Sequence, residues 1–125
     1  MGRKTHKCVH LVLSRKWFEM IEARKKKEEY RDITDYYYSR LMDPDCIFSI
    51  MNAAAAVASD PTKKTEIDIS HLTNGFQIVA FHRGYTGTVM YYNVEKVTIG
   101  YGKTEWGAPS DTPVFKIYLD SQRYF

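Results

Sequence analysis

Residues 14–33 read SRKWFEMIEARKKKEEYRDI, and within this stretch the hydrophobic period changes. Trp17, Phe18 and Ile21, with Met20 beside them, recur at three-to-four spacing behind Ser14, a residue able to cap a helix. The spacing predicts a helix running through Arg24, its apolar stripe inward and Arg15, Lys16, Glu19 and Glu22 outward. From Lys25 to Ile33 the alternation becomes two-fold, with Lys27, Glu29 and Arg31 on one face and Lys26, Glu28, Tyr30 and Asp32 on the other. That is the period of an extended strand. A helix handing over to a strand, ahead of a β-rich half, points to an α+β fold.

On the amino-terminal side, Cys8 to Leu13 is short and rich in Val and Leu, as a buried strand is. On the carboxy-terminal side, Thr34 is placed to cap a second helix carrying Tyr36, Tyr37, Tyr38, Leu41 and Met42, which Asp43-Pro44-Asp45 should end. Cys46 to Ala58 fits helical spacing through Ile47, Ile50, Met51, Ala54 and Ala58, yet Cys46 to Met51 also satisfies a short strand. Ser59 to Glu66 reads as an exposed loop. After Asn74-Gly75 the segments Phe76–Arg83, Thr88–Ile99 and Val114–Leu119 read as strands separated by glycine-rich loops. The long middle one is expected to bend near Asn93 across a small barrel.

A chain of 125 residues suits one compact domain. Two cysteines, Cys8 and Cys46, make no disulfide framework, the basic start before Cys8 does not read as a secretory leader, and no apolar run approaches a membrane span. A cytoplasmic protein without a membrane partner is the expectation. The net charge of +3 hides an asymmetry. Residues 1–27 hold nine Lys or Arg against two acids, a surplus of seven, whereas residues 28–125 hold nine against thirteen, a deficit of four. Such a split favours an anionic partner.

The run Trp17-Phe18-Glu19-Met20-Ile21 followed by Lys26-Lys27-Glu28-Glu29-Tyr30-Arg31 resembles the signature of ASCH domains, relatives of the PUA RNA-binding fold. The family pattern Gly-x-Lys-x-x-Glu-x-Arg is met by Lys26, Glu29 and Arg31, with Arg24 where the family has glycine. Phe81–Tyr85 and the glycine-rich segment Ile99–Gly107 look like the strand end and C-terminal loop of small bacterial and phage members. The resemblance covers roughly residues 8–33 and 74–119 and leaves 43–72 as an insertion. It implies a small PUA-like barrel of five to six strands with flanking helices, and a cleft lined by Lys26, Glu29 and Arg31 that binds RNA or a nucleotide-like ligand.

In that cleft Lys26 is expected to meet phosphate and Arg31 to clamp phosphate or base, with Glu29 orienting Arg31 or accepting from a base amino group. Arg83, Tyr85, Lys103 and Trp106 complete the expected ligand contacts, Tyr85 and Trp106 as stacking faces in glycine-rich loops. Trp17, at helical spacing with Ile21, is expected in the core. Convergence of Lys26 with Glu29 and Arg31 requires the strand to begin after Lys26 or to bulge there. An alternative is catalysis in the same cleft by Lys26, Glu29 and His82, as a ribonuclease or a modified-nucleoside amidohydrolase. Against the latter, the hydroxyl position of amidohydrolase relatives holds Glu29. A further alternative is a protein-interaction surface formed by Tyr36–Tyr38 and Cys46–Ala58. No metal site or cofactor is expected: Cys8 and His10 share a strand face, but Cys46, His71 and His82 do not follow at zinc-site spacings, and Val97 stands where a phosphate loop ending Gly102-Lys103-Thr104 needs glycine.

Overall fold

The computed structural model describes residues 7–125; the basic residues Arg3 and Lys4 lie outside them. Strands β1 (Cys8–Leu13), β2 (Glu28–Asp32), β3 (Ile67–Asp68), β4 (Ile78–Arg83), β5 (Val89–Gly100) and β6 (Val114–Arg123) are joined by helices α1 (Arg15–Glu22), α2 (Asp35–Leu41) and α3 (Ile47–Ala58). The sheet runs β1-β4-β5-β6-β2, with β3 added to β5. It is mixed, since β1 lies parallel to β4 while the other pairs are antiparallel. The sheet curls into a half-barrel in an α+β fold.

The curl has a local cause. The β5–β6 register slips between Tyr92 and Val94, where β6 carries the extra residue, and back between Val94 and Lys96, where β5 carries it. A bulge adds an unpaired residue and bends its strand. The two irregularities lie in the Tyr92–Lys96 stretch of β5, which includes Asn93. Beyond it β6 continues past Leu119 to pair Gln122 with Tyr92 and Arg123 with Tyr91. That polar extension has no apolar alternation to announce it.

Val9, Leu11 and Leu13 of β1 point inward to meet Phe18 and Ile21 of α1 and Phe81, Tyr92, Ile99, Phe115 and Ile117 of the other strands. Cys46–Ala58 resolves as helix: Ile50, Ala53 and Val57 recur at helical spacing and are buried in this same core. The ends of segment 43–72 meet, through the Met42–Thr73 bridge and the Asp43 N–H to Leu72 carbonyl bond, while Val57 and Ile69 within it are core residues.

The close of α1 positions everything that follows. The Arg24 N–H donates to the Ile21 carbonyl and the Lys25 N–H to the Met20 carbonyl, the paired bonds of a Schellman motif, with Arg24 left-handed at φ 63°. Glycine is the usual occupant of that position because it has no Cβ to clash. Arg24 is held there by the bond from its guanidinium to the Asp120 carbonyl at 3.0 Å and by the Tyr92 ring. The turn takes up Lys26, whose N–H donates to the Met20 carbonyl, and Lys27, whose carbonyl accepts from Leu119 N–H, and β2 starts only at Glu28.

Candidate functional site

β2 is an edge strand, paired on one side to β6. Glu29 stands opposite Ile117 and Arg31 opposite Phe115, so both project from the face that elsewhere carries the apolar core. Charge on a core face must be paired internally, because each unpaired buried ion costs several kcal/mol (about 3–5). Glu29 supplies that pairing. Its Oε2 accepts from Arg31 Nη2 at 2.6 Å and Nε at 3.0 Å, and its Oε1 lies 3.1 Å from Lys26 Nζ. Lys26 is in the turn before the strand, free of the alternation that would otherwise send it to the opposite face.

The surroundings complete the hydrogen bonding. Arg31 Nη1 donates to the Tyr37 hydroxyl at 2.9 Å and Nη2 to the Val12 carbonyl at 3.0 Å, so all but one of its N–H groups are engaged among the described residues. Lys26 Nζ donates to the Trp106 carbonyl at 2.6 Å and lies 4.6 Å from the centre of the Tyr30 ring and 5.3 Å from that of Trp17. The Lys26 side chain is 1% exposed and that of Arg31 13%. Burial lowers the pKa of Lys26, against the opposing effect of Glu29. For Arg31 burial acts downward too, but the Glu29 charge and the bonds to Tyr37 and Glu29 outweigh it and the pKa rises.

Two glycines bring the 101–108 loop onto this arrangement. A Cβ on Gly102 would stand 2.7 Å from the Tyr30 ring and from the Ala108 Cβ. Gly107, left-handed at φ 97°, packs on Trp17, which a Cβ there would approach to 3.0 Å. Glycine at both positions lets the loop carry the Trp106 carbonyl to Lys26. The result is an open cleft of about 360 Å³ whose walls include Ser14, Trp17, Glu29, Arg31, Tyr37 and Trp106.

The expected site residues thus divide. Lys26, Glu29, Arg31 and Trp106 come together, but Lys26 is beneath the surface as Glu29's partner, where a phosphate would not reach its ammonium directly. Lys103 is exposed, its ammonium 4.1 Å from the Trp106 ring centre. Trp17, expected in the core, is half-buried and lines the cleft. Arg83, Tyr85 and His82 are not among its lining residues. Tyr85 is fully exposed in the turn after β4, and His82 Nε2 faces His10 Nδ1 at 2.8 Å across β1 and β4. No group of three or more His, Cys, Asp or Glu among the described residues is placed to hold a metal ion.

Sequence reasoning missed Tyr37 as an Arg31 partner, although Tyr37 follows the Thr34 cap, which accepts its N–H. It also missed a second charged cluster, on the other face of the same strands. There Lys116 Nζ lies 2.9 Å from Glu66 Oε1 and 3.5 Å from Glu28, while Glu66 Oε2 accepts from Thr98 at 2.8 Å and from the Tyr118 hydroxyl. Burial and the bond to Glu66 push the Tyr118 pKa up to about 12. Registers Glu28↔Tyr118 and Thr98↔Lys116 assemble this group.

No family model, curated protein or solved structure matches the chain. No helix among the described residues is long and apolar enough to cross a membrane.

Proposed function

We propose that the chain is an ASCH domain with a PUA-like barrel, and that its cleft binds RNA or a nucleotide-like ligand one unit at a time. The observation that carries this reading is the guanidinium of Arg31, fixed by Glu29 on the wall of a cleft that also presents Trp17 and Trp106. Aromatic faces beside a held guanidinium suit a splayed-out base and the phosphate attached to it. A volume of about 360 Å³ is at the low end of small-molecule pockets, near the size of one nucleotide.

The roles follow from the contacts. Arg31 offers its remaining N–H to phosphate or to a base acceptor. Lys26 acts at one remove, holding Glu29 in place. Trp106 stacks, with Lys103 over it, and Lys16, 4.5 Å from the Trp17 ring centre, supplies a second exposed cation at the rim. Ser14 makes no side-chain cap and the first turn of α1 holds no acid, so the helix start beside the cleft keeps unsatisfied N–H groups. Both Glu29 oxygens are occupied by cationic donors, which favours binding over turnover by this carboxylate.

Anisotropy with short single-stranded RNA and with mononucleotides tests the reading through Trp106→Ala and Arg31→Lys. The first keeps the carbonyl that holds Lys26; the second keeps the charge and loses the planar fork. Each should weaken binding on the order of tenfold, since a stacked base is worth about 1–3 kcal/mol. Affinity equal to wild type in both variants, or no binding by wild type, overturns it.

A further inference from the structure

Arginine has no acceptor, so where Arg31 Nη1 meets the Tyr37 oxygen at 2.9 Å the guanidinium must be the donor. The phenol proton of Tyr37 is left over, and no other described residue accepts it. Arg31 also keeps one N–H. Its Nε and Nη2 are spent on Glu29 and the Val12 carbonyl, and Nη1 gives only one of its two hydrogens to Tyr37. The remaining N–H and the phenol O–H thus start from atoms 2.9 Å apart on one wall of the cleft. Ser14, whose hydroxyl caps nothing, stands on the same wall and can turn a further O–H inward.

The acceptors around this pair are already engaged. Glu29 has one oxygen on Arg31 and the other on Lys26. The carbonyls of Val12, Leu13, Ser14 and Trp106 accept from Arg31, Gly84, Phe18 and Lys26. Asp32, the other acid of the lining, belongs to the opposite face of β2, since Val114 across from it packs with Tyr30 and Ala108. A ligand group seated between Arg31 and Tyr37 therefore meets two hydrogens.

Two donors at this separation match a single oxygen with two lone pairs, the arrangement by which proteins hold a carbonyl or an oxyanion. Among nucleobases, uracil and guanine carry such an oxygen at the position where cytosine and adenine carry an amino group. An amino group there sets donor against donor and leaves both wall hydrogens unpaired. We infer that Arg31 Nη1 and Tyr37 Oη form a donor pair that selects a keto base, uracil or guanine, over an amino base, with Tyr37 as a specificity-determining residue. This rests on the reading of the cleft as a nucleotide site. A phosphate oxygen satisfies the same donors but gives no preference among bases, so the two sources are separable.

Calorimetric titration of the full chain with UMP against CMP, and with IMP against AMP, isolates the preference. Each pair shares ribose and phosphate and differs only in the keto or amino group and the ring nitrogen beside it. UMP and IMP should bind on the order of tenfold more tightly than CMP and AMP. Tyr37→Phe keeps the ring and removes the hydroxyl, so UMP and IMP should weaken while CMP and AMP change little, and the preference should fall severalfold. Equal affinity of wild type for all four nucleotides assigns the donors to phosphate and overturns the inference while the nucleotide reading stands. A Tyr37→Phe protein that weakens toward all four alike, or keeps the full preference, overturns the role of Tyr37. Binding of none of the four overturns the nucleotide reading itself, and the inference with it.

Discussion

Glu29→Gln removes the only carboxylate among the described residues bonded to both Lys26 and Arg31 while keeping the side chain's size. At an effective dielectric of about 20, the 3.1 Å contact to Lys26 and the 2.6 Å contact to Arg31 each represent about 5–6 kcal/mol of gross attraction. Most of this is offset by the desolvation of the three charges, so the pairs themselves add little net stability. Removing the shared anion is different, because the desolvation cost of both cations remains. The amide also points donors at one of them. The expected loss is about 3–5 kcal/mol, a fall in Tm of roughly 10–20 °C for a chain of this length. Lys26→Met should cost less, about 2–3 kcal/mol, since Glu29 Oε2 keeps both bonds from Arg31 while Glu29 Oε1 and the Trp106 carbonyl each lose a donor. In the Glu29→Gln background Lys26→Met should be neutral or stabilising, a coupling of about 2 kcal/mol or more. Urea melts of the four proteins complete the cycle. A Glu29→Gln protein within about 1 kcal/mol of wild type, or additive single changes, would refute the view that these charges are buried and mutually dependent.

Arg24→Gly relieves the left-handed φ of 63° but loses the Asp120 contact, whereas Arg24→Ala loses the contact and keeps the strain. The alanine variant should therefore be the less stable by about 1 kcal/mol in thermal melts. Gly102→Ala places a methyl 2.7 Å from the Tyr30 ring and should cost about 1–3 kcal/mol; melts like those of wild type would contradict that packing. Because burial lowers the Lys26 pKa in the folded state, unfolding takes up protons at this group just below its unfolded value of 10.5. Wild type should consequently gain stability relative to Lys26→Met as pH rises toward 10.5, with parallel profiles as the contrary result. Tyr118 has the opposite sign: its folded pKa of about 12 exceeds the unfolded value of 10.0, so its contribution is complete below pH 10 and is lost as pH rises through 12. Ultraviolet titration of wild type against Tyr118→Phe should isolate one late-ionising phenol.

The helix and strand at 14–33 are legible because their information is local. Three apolar residues at helical spacing and a change to alternation define both elements, and Thr34 caps α2 as its position implies. Cys46–Ala58 is ambiguous in sequence because a short apolar run satisfies either period; contact of Ile50, Ala53 and Val57 with the core selects helix. The start of β2 after Lys26 depends on a left-handed arginine, a conformation that sequence assigns to glycine. The Glu66, Thr98, Lys116 and Tyr118 cluster carries no local sign, since its members are brought together by the β5–β6 and β3–β5 registers. Trp17 misleads for a related reason. Helical spacing marks the side of α1 that faces inward, but the loop at Gly107 stops short of covering the ring and leaves it in the cleft wall.

The charge asymmetry changes meaning once its cations are placed. Of the basic residues in the amino-terminal surplus, Lys26 is internal and cannot contribute to an attractive surface without breaking its bonds to Glu29 and Trp106. Arg15 is paired with Glu19 at 2.8 Å, and Arg24 is engaged with Asp120. Lys7, Lys16, Lys25 and Lys27 remain as exposed side chains without a described ion pair, Lys7 donating to the Asn74 carbonyl, and of these Lys16 stands beside the cleft on Trp17. An RNA held there meets Arg31, Lys16 and Lys103, so few counterions are released. The salt dependence should then be shallow, with a slope of log K against log salt of about −1 to −2 for a single strand. A slope several times steeper would require the whole basic segment to contact phosphate and would remove the cleft as the principal binding surface.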